Sequence, residues 1–289
     1  MKRRNFGEIM FQAIVTLIAI ITIFITIYPL IYILSVSISD SSEIVQNNIV
    51  LFPKKINFDA FTKVWSMDNV KRGLVNSIVY TIVGTAINLF LTSTLAYSVS
   101  RKKLIGKKLL MVIISIPLFF SGGLIPTYMV VYSLGIRDTM WAVILPWAVL
   151  SFYLILFKSF FEDIPDEMME SAYIDGANDL VIFFRIVLPM SKTIMASIGL
   201  FYAIDNWNNF SNALFYLYDP DKYPLALILR NYLVAENESS QINTTQGRFV
   251  AREAIQSAMI VISSIPIMVL YPFLQKYFKK GVMLGAIKG

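Results

Sequence analysis

The chain has 289 residues, 56% of them hydrophobic and only 15% charged, with a net charge of +6. A soluble domain carries about 25% charged residues, so this composition points to an integral membrane protein. It contains no cysteine and no histidine, which excludes disulfides, thiolate chemistry and the commonest metal ligand and general base. There is no G-x-x-x-x-G-K-[ST] phosphate loop either, so an ATP-driven role requires an ATPase on another polypeptide. The basic residues are dispersed among apolar spans, which favours a membrane over nucleic acid as the surrounding.

From the N-terminus, Lys2, Arg3 and Arg4 precede an apolar run from Phe11 to about Ser35. That run exceeds the ~7–15 residues of a signal-peptide core and lacks a small-residue cleavage site, so it reads as a retained membrane helix. Further apolar spans run at about Gly73–Ser98, Leu109–Leu134, Met140–Phe157, Ser191–Tyr216 and Ile255–Tyr271. Each approaches the ~20 residues needed to cross a bilayer. The expectation is an all-α integral membrane protein with six transmembrane helices, one membrane domain over residues 1–289 with a core of about 72–275.

The loop RKKLIGKK over Arg101–Lys108 contains no acid, whereas the connections on the other side mix bases with Asp40, Glu43, Asp59, Asp68, Glu236 and Glu238. The positive-inside rule then puts both termini, that loop and Lys276–Lys288 in the cytoplasm. The long outer segments, about Val36–Arg72 and Leu217–Ala254, are contacts for a substrate-delivering protein or merely solvated connections. The polar tip near Glu236–Gln246 is expected to be mobile. Pro29, Pro117, Gly122, Gly123, Pro126, Pro146 and Pro266 interrupt the spans. Such breaks free backbone groups that need partners, and they mark either gating hinges or static kinks.

The polar stretch between the fourth and fifth spans is patterned like folded structure. Pro165 suits a first helical position, with Asp166 and Glu167 at the favourable end of the helix dipole. Met168, Met169, Ala172, Tyr173 and Gly176 gather on one face, away from Glu167 and Glu170. Gly176 suits a left-handed helix stop, and Asn178 can cap a second helix running to Val187, which Pro189 ends. This reads as a docking element. In the fifth span, Asp205, Asn208, Asn209 and Asn212 recur at steps of three and four and share a helix face with Trp207 nearby. Facing lipid would be costly, so that face looks into the bundle or a wet cavity. It either lines a translocation path, with amides and rings suited to a sugar, or holds helices and subunits together.

Glu170, Ala172, Gly176, Ile186, Leu188 and Pro189 match the EAA motif of ABC importer permeases: E-A-A, three residues, G, nine residues, I-x-L-P. Ser171 stands in place of the first alanine and is also small. The chain resembles this family, and FFSGGLIPTY from Phe119, YPLIYILSVSISD from Tyr28, SAYIDGAND from Ser171 and KGVMLGAIKG from Lys280 extend the likeness over nearly all of it. Those stretches are similar to the LplC/YtcP-like branch of the MalG-like carbohydrate-uptake permeases, associated with complex oligosaccharides.

The resemblance implies a type I ABC importer transmembrane domain with a MetI-like core and no enzymatic activity of its own. It implies a second permease subunit, an ABC ATPase dimer that binds ATP and magnesium, an extracellular solute-binding protein and a carbohydrate substrate, with no cofactor in this chain. The loop over 158–190 would be the coupling helix, with Glu170 meeting a basic ATPase residue and Ser171, Ala172 and Asp175 beside it. Gly176 would permit the turn, and Leu188 with Pro189 would fix the loop to the fifth helix. In the maltose importer of this family the sugar contacts lie in the other permease. The alternative, an ion-coupled secondary transporter, normally needs ionisable relays within the membrane, and Asp205 is the one convincing acid in a span.

Overall fold

The longest apolar runs fold as single helices even where a proline was expected to interrupt them, with Pro29 inside the first and Pro266 inside the last, while other glycines, prolines and asparagines mark where shorter helices stop. The computed structural model describes residues 6–46, 48–49, 51–234, 241–243 and 249–285. In chain order the helices are α1 (Phe6–Ser37), α2 (Ser41–Val45), α3 (Asp59–Ser66), α4 (Asp68–Ser100), α5 (Lys107–Phe119), α6 (Leu124–Ser133), α7 (Met140–Ile144) and α8 (Ser151–Glu162). They continue as α9 (Asp166–Ile174), α10 (Asp179–Ile182), α11 (Leu188–Met190), α12 (Lys192–Asn208), α13 (Ser211–Tyr216) and α14 (Leu225–Val234). A short hairpin of β1 (Gln241–Asn243) and β2 (Phe249–Ala251) then leads into α15 (Arg252–Gly285). Lys2–Arg4, most of the Glu236–Gln246 tip and the last residues of KGVMLGAIKG lie outside the described residues.

The chain divides into two compact units, Met1–Asp68 with Asn231–Ile265 and Asn69–Arg230 with Pro266–Gly289. In the first, α1 carries an apolar window with none of its surface buried within the chain. Its C-terminal end is tied down by serines: Ser35 Oγ donates to the Leu51 carbonyl at 2.6 Å and Ser39 Oγ to the Ser35 carbonyl at 2.6 Å. Asp40 caps α2, accepting from the Ser42 N–H at 2.9 Å. Ser41 Oγ accepts from the Ala251 N–H of β2 at 2.9 Å, and β1 and β2 pair antiparallel with Ile242 opposite Val250.

In the second unit, the core joins Ala96, Tyr97 and Val99 of α4 to Leu154, Phe157 and Phe161 of α8 and to Ile198 and Tyr202 of α12. Met169, Ala172, Ile182, Phe183 and Val187 extend this core into the segment between α8 and α12. That continuity is what makes the connecting segment part of the folded body.

Three helical stretches are long and apolar enough to cross a membrane unaided: Met10–Ser37, Asp68–Ser100 and Arg252–Leu270. Two bent pairs, Met140–Trp147 with Ser151–Glu162 (54°) and Asp179–Met190 with Lys192–Asn208 (84°), bring the number to five among the described residues. By length and composition the described residues thus give three to five of the six transmembrane helices expected. The segment Leu109–Leu134 is two helices of 13 and 10 residues separated at Phe120–Gly123. Thirteen residues rise only ~20 Å, short of the ~30 Å hydrocarbon layer.

Candidate functional site

The segment from Asp166 to Met190 is built by local chemistry. α9 opens with Asp166 and Glu167 in its first turn, and Pro165 is the residue before the helix rather than its first turn. The helix closes with a paired set of bonds: the Gly176 N–H donates to the Tyr173 carbonyl at 3.0 Å and the Ala177 N–H to the Ala172 carbonyl at 2.9 Å. Gly176 sits at φ +83° between them, the left-handed residue that this helix stop requires. Asn178 Oδ1 then caps α10 by accepting from the Val181 N–H at 2.9 Å. The Tyr173 hydroxyl bridges the two helices by donating to Asp179 Oδ1 at 2.5 Å. That bond, and then partial burial, push the Tyr173 phenol up to about 12.

Beyond α10 the chain does not run straight to a stop at Pro189. Phe183–Val187 is a π-helical turn, α11 carries Leu188 and Pro189 within it, and the direction changes by 84° around Ser191. Pro189 therefore lies in the first turn of α11, where its missing N–H costs little.

The loop rests on a base that sequence reading took only as an orientation signal. Arg101 lies over the Tyr97 ring at 4.8 Å, donates to the Phe161 carbonyl at 3.2 Å and touches the Met169 sulfur of α9. Lys102 pairs with Asp166 at 2.5 Å; this bond holds the Asp166 carboxyl below its usual range and raises Lys102 in return. Phe183 packs on Tyr97 at 5.1 Å between ring centroids. No sequence pattern signals the bonds from Arg101 and Lys102 to Phe161, Met169 and Asp166, since they join residues 60 or more positions apart.

What the base holds outward is distinctive. Met169 and Ala172 are buried against it, so the expected five-residue face is divided: Met168, Tyr173 and Gly176 are exposed. Ile174 is 87% exposed, Leu180 68% and Phe184 50%. Glu170 is exposed beside them and makes no hydrogen bond or ion pair among the described residues. Ser171 Oγ donates to the Glu167 carbonyl at 2.9 Å, Asp175 forms the helix end, and Leu188 is half-buried. The arrangement presents an acid and an apolar ridge on a rigid mount, which suits docking and offers no nucleophile or metal cage.

The polar residues of the fifth span are not brought together on one face. α12 ends at Asn208, and Asn209 leaves helical geometry at ψ 84°. Asn209 and Asn212 are buried and bound to α7: Asn212 Nδ2 donates to the Val143 carbonyl at 2.9 Å, and Asn209 Oδ1 accepts from the Asn212 N–H at 3.1 Å. Trp207 is buried, while Asn208 is exposed and donates to the Ile204 carbonyl at 3.0 Å. Asp205 is half-buried and accepts from the Tyr153 hydroxyl at 2.9 Å, with Tyr153 stacked on Phe201. Asn206 went unremarked in the sequence; it is buried and fills the space over Gly84, where an added Cβ would come within 2.9 Å of its Nδ2. The helix break, which periodicity does not register, separates Asp205 and Asn208 from Asn209 and Asn212.

The sequence profile of the binding-protein-dependent transport system inner membrane component family matches residues 88–284. The chain belongs to that family. It is 42% identical over 266 residues to Protein LplC of Bacillus subtilis (strain 168), covering 92% of this chain and 90% of that one. It is 41% identical over 267 residues to the polygalacturonan/rhamnogalacturonan transport system permease protein YtcP of the same organism, covering 92% and 93%. Among solved structures it matches a chain of a bacterial ABC transporter involved in the import of the acidic polysaccharide alginate, with a TM-score of 0.90, 30% identity and coverage of 96% and 100%. A second match, at TM-score 0.63 and 16% identity, shares the fold; it comes from an alginate ABC transporter in complex with an alginate pentasaccharide-bound periplasmic protein. This chain is therefore a membrane-embedded permease subunit of an ABC importer and not an enzyme.

Proposed function

We propose that the chain forms half of the transmembrane pathway of a carbohydrate importer, paired with a second permease subunit in a bacterial cell membrane. A pair of ABC ATPases, holding the ATP and magnesium, docks on the α9–α10 segment from the cytoplasm, where both termini also lie. A solute-binding protein delivers an oligosaccharide from outside. The observation that carries this reading is the exposed Glu170–Ile174–Leu180 ridge on its buried mount. A side chain such as Ile174, left in water, forgoes roughly 1.5–3 kcal/mol that burial in a partner's cleft would recover.

The mount explains how force would pass inward. ATP draws the ATPases together and moves the docked ridge; Met169, Ala172 and Phe183 belong to one packed core with α4, α8 and α12. Because packed interiors deform little, displacement of α9 is carried to the membrane helices and turns the pathway from one side to the other. Asp205 and Asn208 are proposed to face that pathway, whereas the bonds of Asn209 and Asn212 to α7 support a structural task for them.

Relatives named for alginate and for polygalacturonan/rhamnogalacturonan transport favour an oligosaccharide from an acidic polysaccharide. The test is to purify the tagged chain in mild detergent with its co-purifying subunits, reconstitute it with the recovered binding protein, and measure ATP-dependent uptake of uronate and neutral oligosaccharides. Uptake of uronate oligosaccharides is expected. Co-purification without any ATPase, or ion-driven uptake without ATP, would refute the assignment.

A further inference from the structure

Three membrane segments of this chain are interrupted, and they are not closed in the same way. Between α7 and α8, the Leu150 N–H donates to the Tyr202 hydroxyl at 3.0 Å, and Asn88 Nδ2 reaches the Trp147 carbonyl at 3.4 Å. Between α12 and α13, Asn209 accepts from the Asn212 N–H, and the Asn212 amide spans to Val143. Between α7 and α8, side chains from other segments serve the broken backbone; between α12 and α13 the backbone is served locally by Asn209, and the Asn212 side chain ties the break to α7. The break between α5 and α6 has only local bonds: the Phe120 N–H to the Ile116 carbonyl (2.9 Å), the Gly123 N–H to Ser121 Oγ (3.2 Å) and Thr127 Oγ1 to the Gly123 carbonyl (2.8 Å). Among the described residues no other segment bonds to Phe120–Gly123. These four residues are exposed, and a Cβ added at Gly122 or Gly123 would meet nothing within 4 Å.

With Leu109–Leu134 taken as a span of the importer fold, this break lies within the apolar layer. Rising from Lys107 at about 1.5 Å per residue, α5 covers ~20 Å before it, and α6 covers ~15 Å after it, against a hydrocarbon thickness of ~30 Å. The end of one helix and the start of the next leave carbonyl and N–H groups without partners, and Pro117 removes a further backbone donor within α5. Lipid tails supply no hydrogen bonds, so irregular backbone at this depth persists only inside protein or along water. Side chains of a neighbouring subunit could serve one or two of these groups, as those of Tyr202 and Asn88 do between α7 and α8, but not all of them. Water can.

We propose that the Phe120–Gly123 break lines a water-filled route through the membrane, where its free backbone groups and the Ser121 hydroxyl meet the hydroxyl groups of a saccharide in transit. Phe119 and Phe120, 79% and 74% exposed, stand beside it. A pyranose has the matching chemistry, apolar on its C–H faces and hydrogen-bonding at its edge. The saccharide rests on the carbohydrate-import reading; the water-lined route does not.

The cysteine-free chain allows a direct test in the complete importer. Ser121→Cys and Gly122→Cys put single thiols in the break, and Phe24→Cys puts one on the continuous apolar helix α1, where Phe24 is 65% exposed. Membranes are treated with the permanently charged reagent methanethiosulfonate ethyltrimethylammonium, with and without ATP, and the mass of this chain is followed. The thiolate is the reacting form and apolar burial raises the thiol pKa; each unit slows reaction about tenfold at neutral pH. Both break thiols are expected to react at least about tenfold faster than Phe24→Cys in one of the two conditions, and modification is expected to stop saccharide uptake. If both react no faster than Phe24→Cys in either condition, the break is covered by protein and the proposal is overturned. Fast labelling in an importer that moves no saccharide would uphold the water-lined route and refute only the carbohydrate reading.

Discussion

The α9–α10 segment and the corner around Asp138 are both polar connections between apolar helices, and they spend their polar groups in opposite ways. At the corner the polar groups bond one another. Asp138 accepts from the N–H groups of Tyr218 (2.9 Å) and Asp219 (3.1 Å) and pairs with Lys222 at 2.5 Å. The Tyr80 hydroxyl and the Asn76 amide donate to the carbonyls of Lys222, Asp221 and Tyr223. The α9–α10 segment satisfies its backbone with equal care through Gly176 and Asn178, yet leaves Glu170 and three large apolar side chains outward. A connection that only joins helices has no reason to expose such a ridge. The difference separates a fold-holding corner from a docking surface.

Three perturbations test that distinction, in falling order of effect. The largest is on the inward-bonded side: Asn212→Ala leaves the Val143 carbonyl with only the long 3.5 Å contact from Asn209. It should cost on the order of 1–3 kcal/mol and lower the thermal midpoint of the purified importer, while Asn208→Ala should leave that midpoint in place. Equal midpoints for the two variants would remove the structural role assigned to Asn212.

Next is Gly176→Val. No neighbour lies within 4 Å of its added Cβ, so the strain comes from φ +83° alone, roughly 1–2 kcal/mol. Membrane levels should stay near normal while uptake falls; normal uptake would show that the turn geometry is dispensable.

The smallest is a pH effect at the corner. The hydrogen bond from Lys222, with those from Tyr218 and Asp219, holds Asp138 down from 3.8 to about 2. A carboxyl depressed in the folded state contributes stability above its ordinary value and loses it as pH falls through the folded one. The stability gap between the native chain and Asp138→Asn should therefore hold at neutral pH and shrink between about pH 4 and pH 2. The gap should be small, because exposed ion pairs are worth little. A gap that widens on acidification would reverse the assignment.

Legibility in the sequence followed the range of the interactions. The helix stop at Gly176 and the cap at Asn178 act over a few residues, and both were readable from residue type and spacing. The shared face of Asp205, Asn208, Asn209 and Asn212 was not, because it presumed an unbroken helix. The break is held by Asn209 and Asn212 bonding to Val143, 66 and 69 positions away. Arg101 and Lys102 read as positive charge near a membrane, since nothing local shows that they grip Met169 and Asp166. Gly122 and Gly123 stood out as interruptions; what distinguishes them from the other breaks is the lack, among the described residues, of a bond to another segment, which only the three-dimensional arrangement reveals.

The central claim is that the ridge beside Glu170 couples this chain to an ATPase. The Glu170 side chain is exposed and makes no hydrogen bond or ion pair among the described residues, so Glu170→Lys should leave the chain folded while offering the ATPase a reversed charge. Like charges brought together in a desolvated contact cost several kcal/mol. The most direct measurement is substrate-stimulated ATP hydrolysis by the reconstituted importer carrying Glu170→Lys, at matched amounts of this chain. Stimulation and uptake should both be lost, through weaker ATPase binding or hydrolysis uncoupled from substrate. Full stimulation and normal uptake with the ATPase still bound would contradict the account.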